Sequence, residues 1–229
     1  MNITNSYNLP VFKAHCPEIR LGQNACHIVN SEFPHYSMFR FGPYIKKGLS
    51  RKIISPKEYM RIMDVSPHIN PNNYDNPTAY FPDLFNSINK YHCFNCHESA
   101  LLSALILKLN GIKNAYTAFI RDGKARENHV LCLFNKDGSE IEIDEEGGKL
   151  IPRIINNKTI IVDPWANICD FANNALIECH NLWSNHLEPT LFKEQADGKY
   201  NLLKAKRIDI PDEFLNFLKS NYPNLILKN

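Results

Sequence analysis

The side chains of this chain that are best placed for chemistry lie in the run CFNCH, residues 93–97. Cys96 begins an apolar segment that continues to Leu109, and the positive end of a helix dipole at that point would favour a thiolate. The same letters also spell a CxxC pair, which can bind zinc or undergo redox chemistry, and the CxxCH motif that attaches haem. The choice between a nucleophile and a ligand cluster depends on partners elsewhere in the chain.

Two further residues fit the roles that a nucleophilic thiol requires: a base within hydrogen-bond reach and a group that orients the base. His129 is the candidate base, because it begins a β-rich run and can face a helix terminus across a cleft. Asp163 is the candidate orienting group, because it ends a later β-rich run. The backbone N–H of Cys96 could donate to a developing oxyanion. Neighbouring side chains that would line the cleft are Asn95, His97 and Trp165.

The segment behind Cys96 has the pattern of a buried helix. Asn95 is a natural N-cap residue, and the pair Asn110-Gly111 is typical of a helix that ends in a left-handed conformation. Apolar side chains recur between these ends at three- and four-residue spacing: Leu101, Leu102, Leu105, Ile106 and Leu109. Two alanines extend the apolar surface most of the way round, which predicts a helix in the middle of a domain.

The remaining patterns predict an α+β domain built around this helix. β-rich runs occur at residues 115–120, 130–134, 141–144 and 159–162, and a turn at residues 136–138 joins the second run to the third. Further helices are predicted at residues 55–65, 81–91, 170–180 and 211–220, with a loop at residues 66–78. Residues 1–54 show little periodicity and predict an irregular N-terminal arm or cap, so residues 55–229 would form a single globular unit.

The composition argues against several classes of protein. Lys and Arg total 26 against 24 Asp and Glu in 229 residues, a balance that disfavours nucleic acid as the main partner. The longest apolar segment, residues 100–109, is too short to span a bilayer, and the N-terminal residues lack the basic and apolar regions of a secretory signal. Seven cysteines without framework spacing suit a reducing compartment. We therefore expect a soluble, cytoplasmic protein without a membrane span.

The central helix resembles the nucleophile helix of the transglutaminase-like superfamily; its sequence over residues 96–112 is CHESALLSALILKLNGI. In that family the Cys opens the helix, an Ala follows four residues later, and a Gly-Ile pair closes it. A strand that begins with His and a later strand that ends in Asp-Pro follow in the same order, as they do here at His129 and at Asp163-Pro164. The resemblance implies a papain-like core, with the helix packed on an antiparallel sheet, and a Cys96, His129 and Asp163 triad.

Because of two departures from the family pattern, a second carboxylate remains a candidate for the third member of the triad. Family members often carry an aromatic residue directly after the His, where this chain has Val130. The separation of His129 from Asp163 is longer than in the simple hairpin usual in the family, and Asp144 lies nearer to that spacing. Asp163 is the preferred third member because a strand that runs into Asp-Pro is the better match, and Asp144 is the alternative.

The resemblance implies thiol-dependent acyl transfer on a protein glutamine carboxamide, through a thioester on Cys96. An amine acceptor gives transglutamination and water gives deamidation, whereas attack on a main-chain amide would make the chain a cysteine protease with the same triad. None of these reactions needs a cofactor. Small stand-alone members of the superfamily include bacterial effectors that modify host proteins, so a host protein is the partner that the resemblance suggests.

The contrasting hypothesis is a non-catalytic module in which Cys93 and Cys96 bind zinc. Zinc needs a second ligand pair, and Cys169 with Cys179-His180 supplies one by composition, although the nine intervening residues do not match a zinc knuckle. Haem attachment would require export and a distal ligand. A redox CxxC pair would be expected next to a βαβ unit, and the sequence around residues 93–96 has no βαβ pattern. Stoichiometric zinc that is lost on Cys96→Ser would favour the zinc-binding module. Selective alkylation of Cys96 would favour the thiol enzyme.

Overall fold

The computed structural model describes residues 16–33, 68–91, 94–120, 129–141, 158–186 and 202–227. The helices within these ranges are α1 (Pro17–Glu32), α2 (Pro77–Tyr91), α3 (Cys96–Leu109), α4 (Ala172–His186) and α5 (Asp212–Asn221). The strands are β1 (Ala115–Ile120), β2 (His129–Asn135), β3 (Thr159–Asp163), β4 (Ile168–Phe171) and β5 (Leu202–Arg207). Short 3-10 turns occupy Pro71–Asn73 and Pro223–Leu225. The described part of the chain is an α+β fold.

The five strands form one antiparallel sheet in the order β4-β3-β2-β1-β5. In the register, Cys132 of β2 lies opposite Val162 of β3. Because neighbouring antiparallel strands run in opposite directions, the first residue of β2 and the last residue of β3 lie at the same end of the sheet. This topology brings His129 and Asp163 together although they are 34 residues apart in sequence.

Both faces of the sheet are covered by helices. On one face, Cys132, Phe134 and Val162 pack in a core shared with helices α1, α2, α3 and α5. On the other face, Leu131, Leu133 and Ile161 pack with helix α4. Successive side chains of a strand point to opposite faces, so strands buried on both sides carry continuous apolar runs instead of an alternating pattern. All seven residues of β2 are buried, as this arrangement requires.

Helix α3 forms as the sequence predicts. Its N-terminus carries a capping box, in which the His97 N–H donates to Oδ1 of Asn95 at 2.8 Å and the Asn95 N–H donates to Oε2 of Glu98 at 2.9 Å. Gly111 has a φ of 96° just beyond the C-terminus, the left-handed region that glycine enters without strain. Because the helix is buried all round except near its ends, it forms the centre of the core.

The prediction of an irregular arm over residues 1–54 is wrong for Pro17–Glu32, which form helix α1. The apolar positions that pack on α3, β3 and β4 lie at helical spacing: Ile19, Ala25, Cys26, Ile28 and Val29. Gly22 weakens the sequence pattern, since an interior glycine lowers helix propensity by about 1 kcal/mol relative to alanine. The structure explains it, because a Cβ at Gly22 would lie 2.6 Å from Sγ of Cys169. Residues 1–15 and 34–54 and the predicted helix at 55–65 lie outside the described residues.

Helix α2 begins four residues before the predicted position of 81. Asn76 caps it, with its Oδ1 accepting from the Thr78 N–H at 3.2 Å, and Pro77 takes the first helical position. Pro82 therefore lies inside the helix and not at its start. The pair Asn-Pro was a signal for a helix start within the predicted loop of residues 66–78.

Two strands were missed by the sequence patterns. The predicted helix over residues 170–180 begins only at Ala172, because Ile168–Phe171 form strand β4 after a tight turn in which Asn167 has a φ of 59°. Strand β5 was not predicted either, since Leu202–Arg207 lacks β-branched residues. Edge strands of four to six residues carry too few side chains for a clear period, and their pairing to β3 and β1 defines them.

Two of the predicted β-runs and one predicted helix match the structure closely: residues 115–120, 159–162 and 211–220 correspond to β1, β3 and α5. The predicted run at 130–134 lies within β2, which also includes His129 and Asn135. Ile141 lies outside any strand, and its N–H donates to the Tyr116 hydroxyl at 3.1 Å. Residues 142–157 lie outside the described residues, and β3 is the strand that pairs with this side of β2.

None of the helices in the described ranges combines the length and the apolar character that crossing a membrane would require.

Candidate active site

His129 and Asp163 form a buried pair at the end of the sheet. Nε2 of His129 lies 2.6 Å from Oδ2 of Asp163, and the two side chains are 0% and 1% exposed. Each residue stands at a strand terminus, His129 at the start of β2 and Asp163 at the end of β3. His129 pairs with Ile120 of β1 and Asp163 with Ile168 of β4, so the sheet holds both main chains in place. A carboxylate in this position selects the orientation and tautomer of the imidazole.

Cys96 is the third side chain of the candidate site. It is the first residue of α3 and half-buried, and it lies near enough to the His129 ring to raise the pKa of that ring. Of the three side chains, only that of Cys96 is partly exposed, while His129 and Asp163 are buried.

The pKa of the His129 imidazole reflects both neighbours. Burial alone lowers this pKa, but the charge and hydrogen bond of Asp163 raise it, and the hydrogen bond and charge of Cys96 raise it further. The balance raises the pKa of His129 from 6.5 to about 10. At neutral pH the ring therefore holds a proton that it can donate to a leaving group.

The turn after Asp163 fixes the carboxylate. Its Oδ1 accepts a hydrogen bond of 3.2 Å from the Ala166 N–H, while Oδ2 faces His129, so both oxygens are engaged. The carbonyl of Pro164 accepts from the Asn167 N–H at 3.2 Å, which closes the turn between β3 and β4. Asn167 adopts a left-handed conformation, which asparagine tolerates better than most residues.

The backbone at the start of α3 leaves one donor beside the thiol. Oδ1 of Asn95 accepts from the N–H groups of His97 and Glu98, and the carbonyl of Asn95 accepts from the Ser99 N–H. No described residue accepts from the N–H of Cys96, the first in the helix. This N–H can donate to a negative oxygen that forms next to the thiol.

The three candidates for the cleft differ in what they do. The side-chain oxygen of Asn95 is used as a helix cap. His97 lies with its ring centroid 6.3 Å from that of Phe119, and burial together with the nearby Lys206 charge lowers its pKa. Trp165 is 7% exposed and belongs to the turn that holds Asp163.

The alternative third member, Asp144, lies outside the described residues, as does Cys93. The carboxylate that contacts His129 among the described residues is that of Asp163.

The second zinc pair proposed from composition is not formed. Cys169 packs in the core on the α3 face of the sheet, whereas Cys179 of α4 packs in the core on the opposite face. Across the part of the chain that the structure describes, no three His, Cys, Asp or Glu side chains are grouped so that they could hold a metal ion.

Two features of the site were missed from the sequence. Glu98 completes the capping box, and the pattern Asn-x-x-Glu before an apolar run was the signal for it. Helix α1 contributes Asn30, whose Nδ2 donates to the carbonyl of Pro164 at 3.2 Å. No local pattern predicts that contact, because it joins residues 134 positions apart.

No family model matches this chain, and neither a curated protein nor a solved structure matches it. The geometry of the three side chains therefore carries the functional proposal.

Proposed function

We propose that this protein is a thiol enzyme that transfers the acyl group of a protein glutamine side chain, as a transglutaminase or a glutamine deamidase. Cys96 is the nucleophile, His129 the acid and base, and Asp163 the group that orients His129. One observation carries the proposal: a carboxylate holds a buried imidazole at 2.6 Å, and a partly exposed thiol at a helix N-terminus lies near enough to that imidazole to raise its pKa.

The first half-reaction forms a thioester and releases ammonia. The Cys96 thiolate attacks the carboxamide carbon, and the electron pair of the C=O bond moves to oxygen, where the Cys96 N–H can donate to it. The His129 imidazolium donates its proton to the leaving nitrogen as the C–N bond breaks. The products are a thioester on Cys96, free ammonia and a neutral His129.

The second half-reaction restores the enzyme. Neutral His129 removes a proton from the acceptor, which is a water molecule or a primary amine, as the acceptor attacks the thioester carbon. The C–S bond breaks, the thiolate of Cys96 returns, and His129 again holds a proton beside Asp163. Water gives glutamate, and an amine gives a substituted amide.

The choice of a glutamine substrate is supported by the resemblance of α3 and of the Asp163-Pro164 turn to the transglutaminase-like superfamily. A protein substrate agrees with the position of the thiol at the surface, since only Cys96 of the three side chains is partly exposed. The same resemblance extends to effectors that act on host proteins, and we propose a host protein as the substrate.

The proposal is tested by mass spectrometry of proteins from a eukaryotic lysate incubated with the wild-type chain and with Cys96→Ala. Cys16→Ala is the matched control, because Cys16 is the other half-exposed thiol among the described residues. We expect deamidated or cross-linked glutamines with wild type and with the control, and none with Cys96→Ala. New peptide termini instead would identify a cysteine protease, and modification that persists in Cys96→Ala would contradict a thiol mechanism.

A further inference from the structure

Asn30, near the C-terminal end of helix α1, holds the carbonyl group that follows Asp163. Its Nδ2 donates a hydrogen bond of 3.2 Å to the oxygen of Pro164. The same oxygen accepts from the Asn167 N–H, which closes the turn. Since Oδ1 of Asp163 accepts from the Ala166 N–H within this turn, the position of the turn sets the direction in which the carboxylate points.

Two weaker contacts hold the flanking strand against the same helix. The Cys26 thiol donates to the carbonyl of Ile168 at 3.6 Å, and Ile168 is the residue opposite Asp163 in the sheet. Burial and the neighbouring charges of Cys169 and Asp163 raise the pKa of Cys26 well above its usual value, so this thiol keeps its proton and can donate. One residue further along β4, the Cys169 thiol donates to the carbonyl of Ile19 at 3.5 Å. Sulfur is a weak donor, so the Asn30 amide makes the strongest of these three contacts.

The other end of the Asn30 side chain argues for a specific role. Its Oδ1 is buried, and no described residue donates a hydrogen bond to it. A buried acceptor without a donor is unfavourable, and an apolar side chain of similar shape would avoid that cost. The carboxamide at this position is therefore explained by what its Nδ2 does, which is to hold the oxygen of Pro164.

We propose that Asn30 is a positioning residue for the triad: by fixing the turn after β3, it keeps Asp163 directed at His129 and His129 directed at Cys96. The inference rests on the proposed function, and it gives helix α1 a part in the reaction although Asn30 contacts none of the three side chains' reacting atoms.

The test is the pH profile of Cys96 alkylation by iodoacetamide in the full chain, followed by mass spectrometry for wild type, Asn30→Leu and Asn24→Leu. Asn24 lies on the same helix, and no hydrogen bond joins its side chain to any described residue of the β3–β4 hairpin. We expect Asn30→Leu to lower the alkylation rate at mildly acidic pH on the order of tenfold, since a misdirected imidazolium stabilises the thiolate less. At strongly alkaline pH, where an exposed thiol ionises without help, the rates should converge. Asn24→Leu should keep the wild-type profile, and Asn30→Gln, which retains the amide donor, should recover part of the rate.

The outcomes separate the two proposals. If wild-type Cys96 is not preferentially alkylated at mildly acidic pH, the thiol enzyme and the role of Asn30 both fall. If wild type shows that preference and Asn30→Leu has the same profile, the positioning role alone is overturned. Should Asn30→Leu fail to fold, Asn30→Ser replaces it, because a serine is too short to reach Pro164, and the same two outcomes decide.

Discussion

Oδ2 of Asp163 lies 2.6 Å from Nε2 of His129, and both side chains are closed to solvent. A buried ion pair is weak support for stability, because desolvation of the charges offsets much of their attraction. Removing one partner is costly, however, since the other charge is then buried without compensation. The pair is therefore best explained by a role toward Cys96, which lies near enough to raise the pKa of the same imidazole.

Asp163→Asn should abolish most of the activity. An asparagine keeps the shape but loses the charge that raises the pKa of His129 and the acceptor that selects its tautomer. We expect the rate of glutamine modification to fall on the order of 10²–10⁴-fold, as for other triads that lose their carboxylate. The rate is measured on a substrate protein found by the lysate experiment. Asp170→Asn, a change on the adjacent strand β4, is the matched control and should retain wild-type activity.

The His129 pair should make stability fall as pH rises. The pKa of His129 is raised in the folded protein to about 10 from 6.5, so the folded state holds a proton that the unfolded chain releases. The stabilisation is fully present below the unfolded pKa and is lost as pH rises through the folded pKa, with a slope of at most about 1.4 kcal/mol per pH unit.

This dependence is measured by thermal unfolding between mildly acidic and strongly alkaline pH. The melting temperature of wild type should fall more steeply over this window than that of His129→Gln. His27→Gln, a change at an exposed histidine of α1, should keep the wild-type slope. Equal slopes in wild type and His129→Gln would mean that the pair does not hold the proton.

Asn95→Ala should destabilise helix α3 at the end that carries the thiol. The substitution removes the oxygen that accepts from the first-turn N–H groups, including that of His97 at 2.8 Å. Loss of an N-cap lowers the free energy of unfolding by about 1 kcal/mol. Urea unfolding measures the change, and Asn95→Ser, which retains a capping oxygen, should stay close to wild type; an Asn95→Ala chain as stable as wild type would contradict the cap.

Gly22→Ala should be destabilising despite the higher helix propensity of alanine. The added Cβ would lie 2.6 Å from Sγ of Cys169 and 3.0 Å from Cγ2 of Val162, closer than packed atoms allow. Overpacking of this kind costs about 1–3 kcal/mol, which exceeds the gain in propensity of about 1 kcal/mol. Urea unfolding should show the loss, and adding Cys169→Ala should reverse part of it, because that change removes the nearest atom. If the double variant regains no stability, the clash does not involve Cys169.

Local signals in the sequence predict helix α3 almost completely. The cap at Asn95, the spacing of the leucines and the glycine at 111 act within one or two turns, so no distant contact is needed to interpret them. The strand ends at His129 and Asp163 are local features too, which is why both residues could be singled out before the fold was known.

Long-range packing decided what local patterns could not. Helix α1 has a glycine where its backbone approaches Cys169. A glycine inside a helix weakens the helical pattern of the sequence, and its reason is visible only once strand β4 is placed against the helix. Strands β4 and β5 are short edge strands whose partners define them. The contact between Asn30 and Pro164 joins segments 134 residues apart, and no periodic pattern in the sequence predicts it.

Local patterns alone identify a thiol at the start of a buried helix and two strand ends that can carry its base and its carboxylate. Which carboxylate meets the imidazole was a choice between Asp144 and Asp163 until strand order was known. The antiparallel pairing of β2 with β3 places the start of one beside the end of the other, and the contact at 2.6 Å follows from that pairing. Spacing along the chain identifies the residue types, but only the sheet register determines which of them touch.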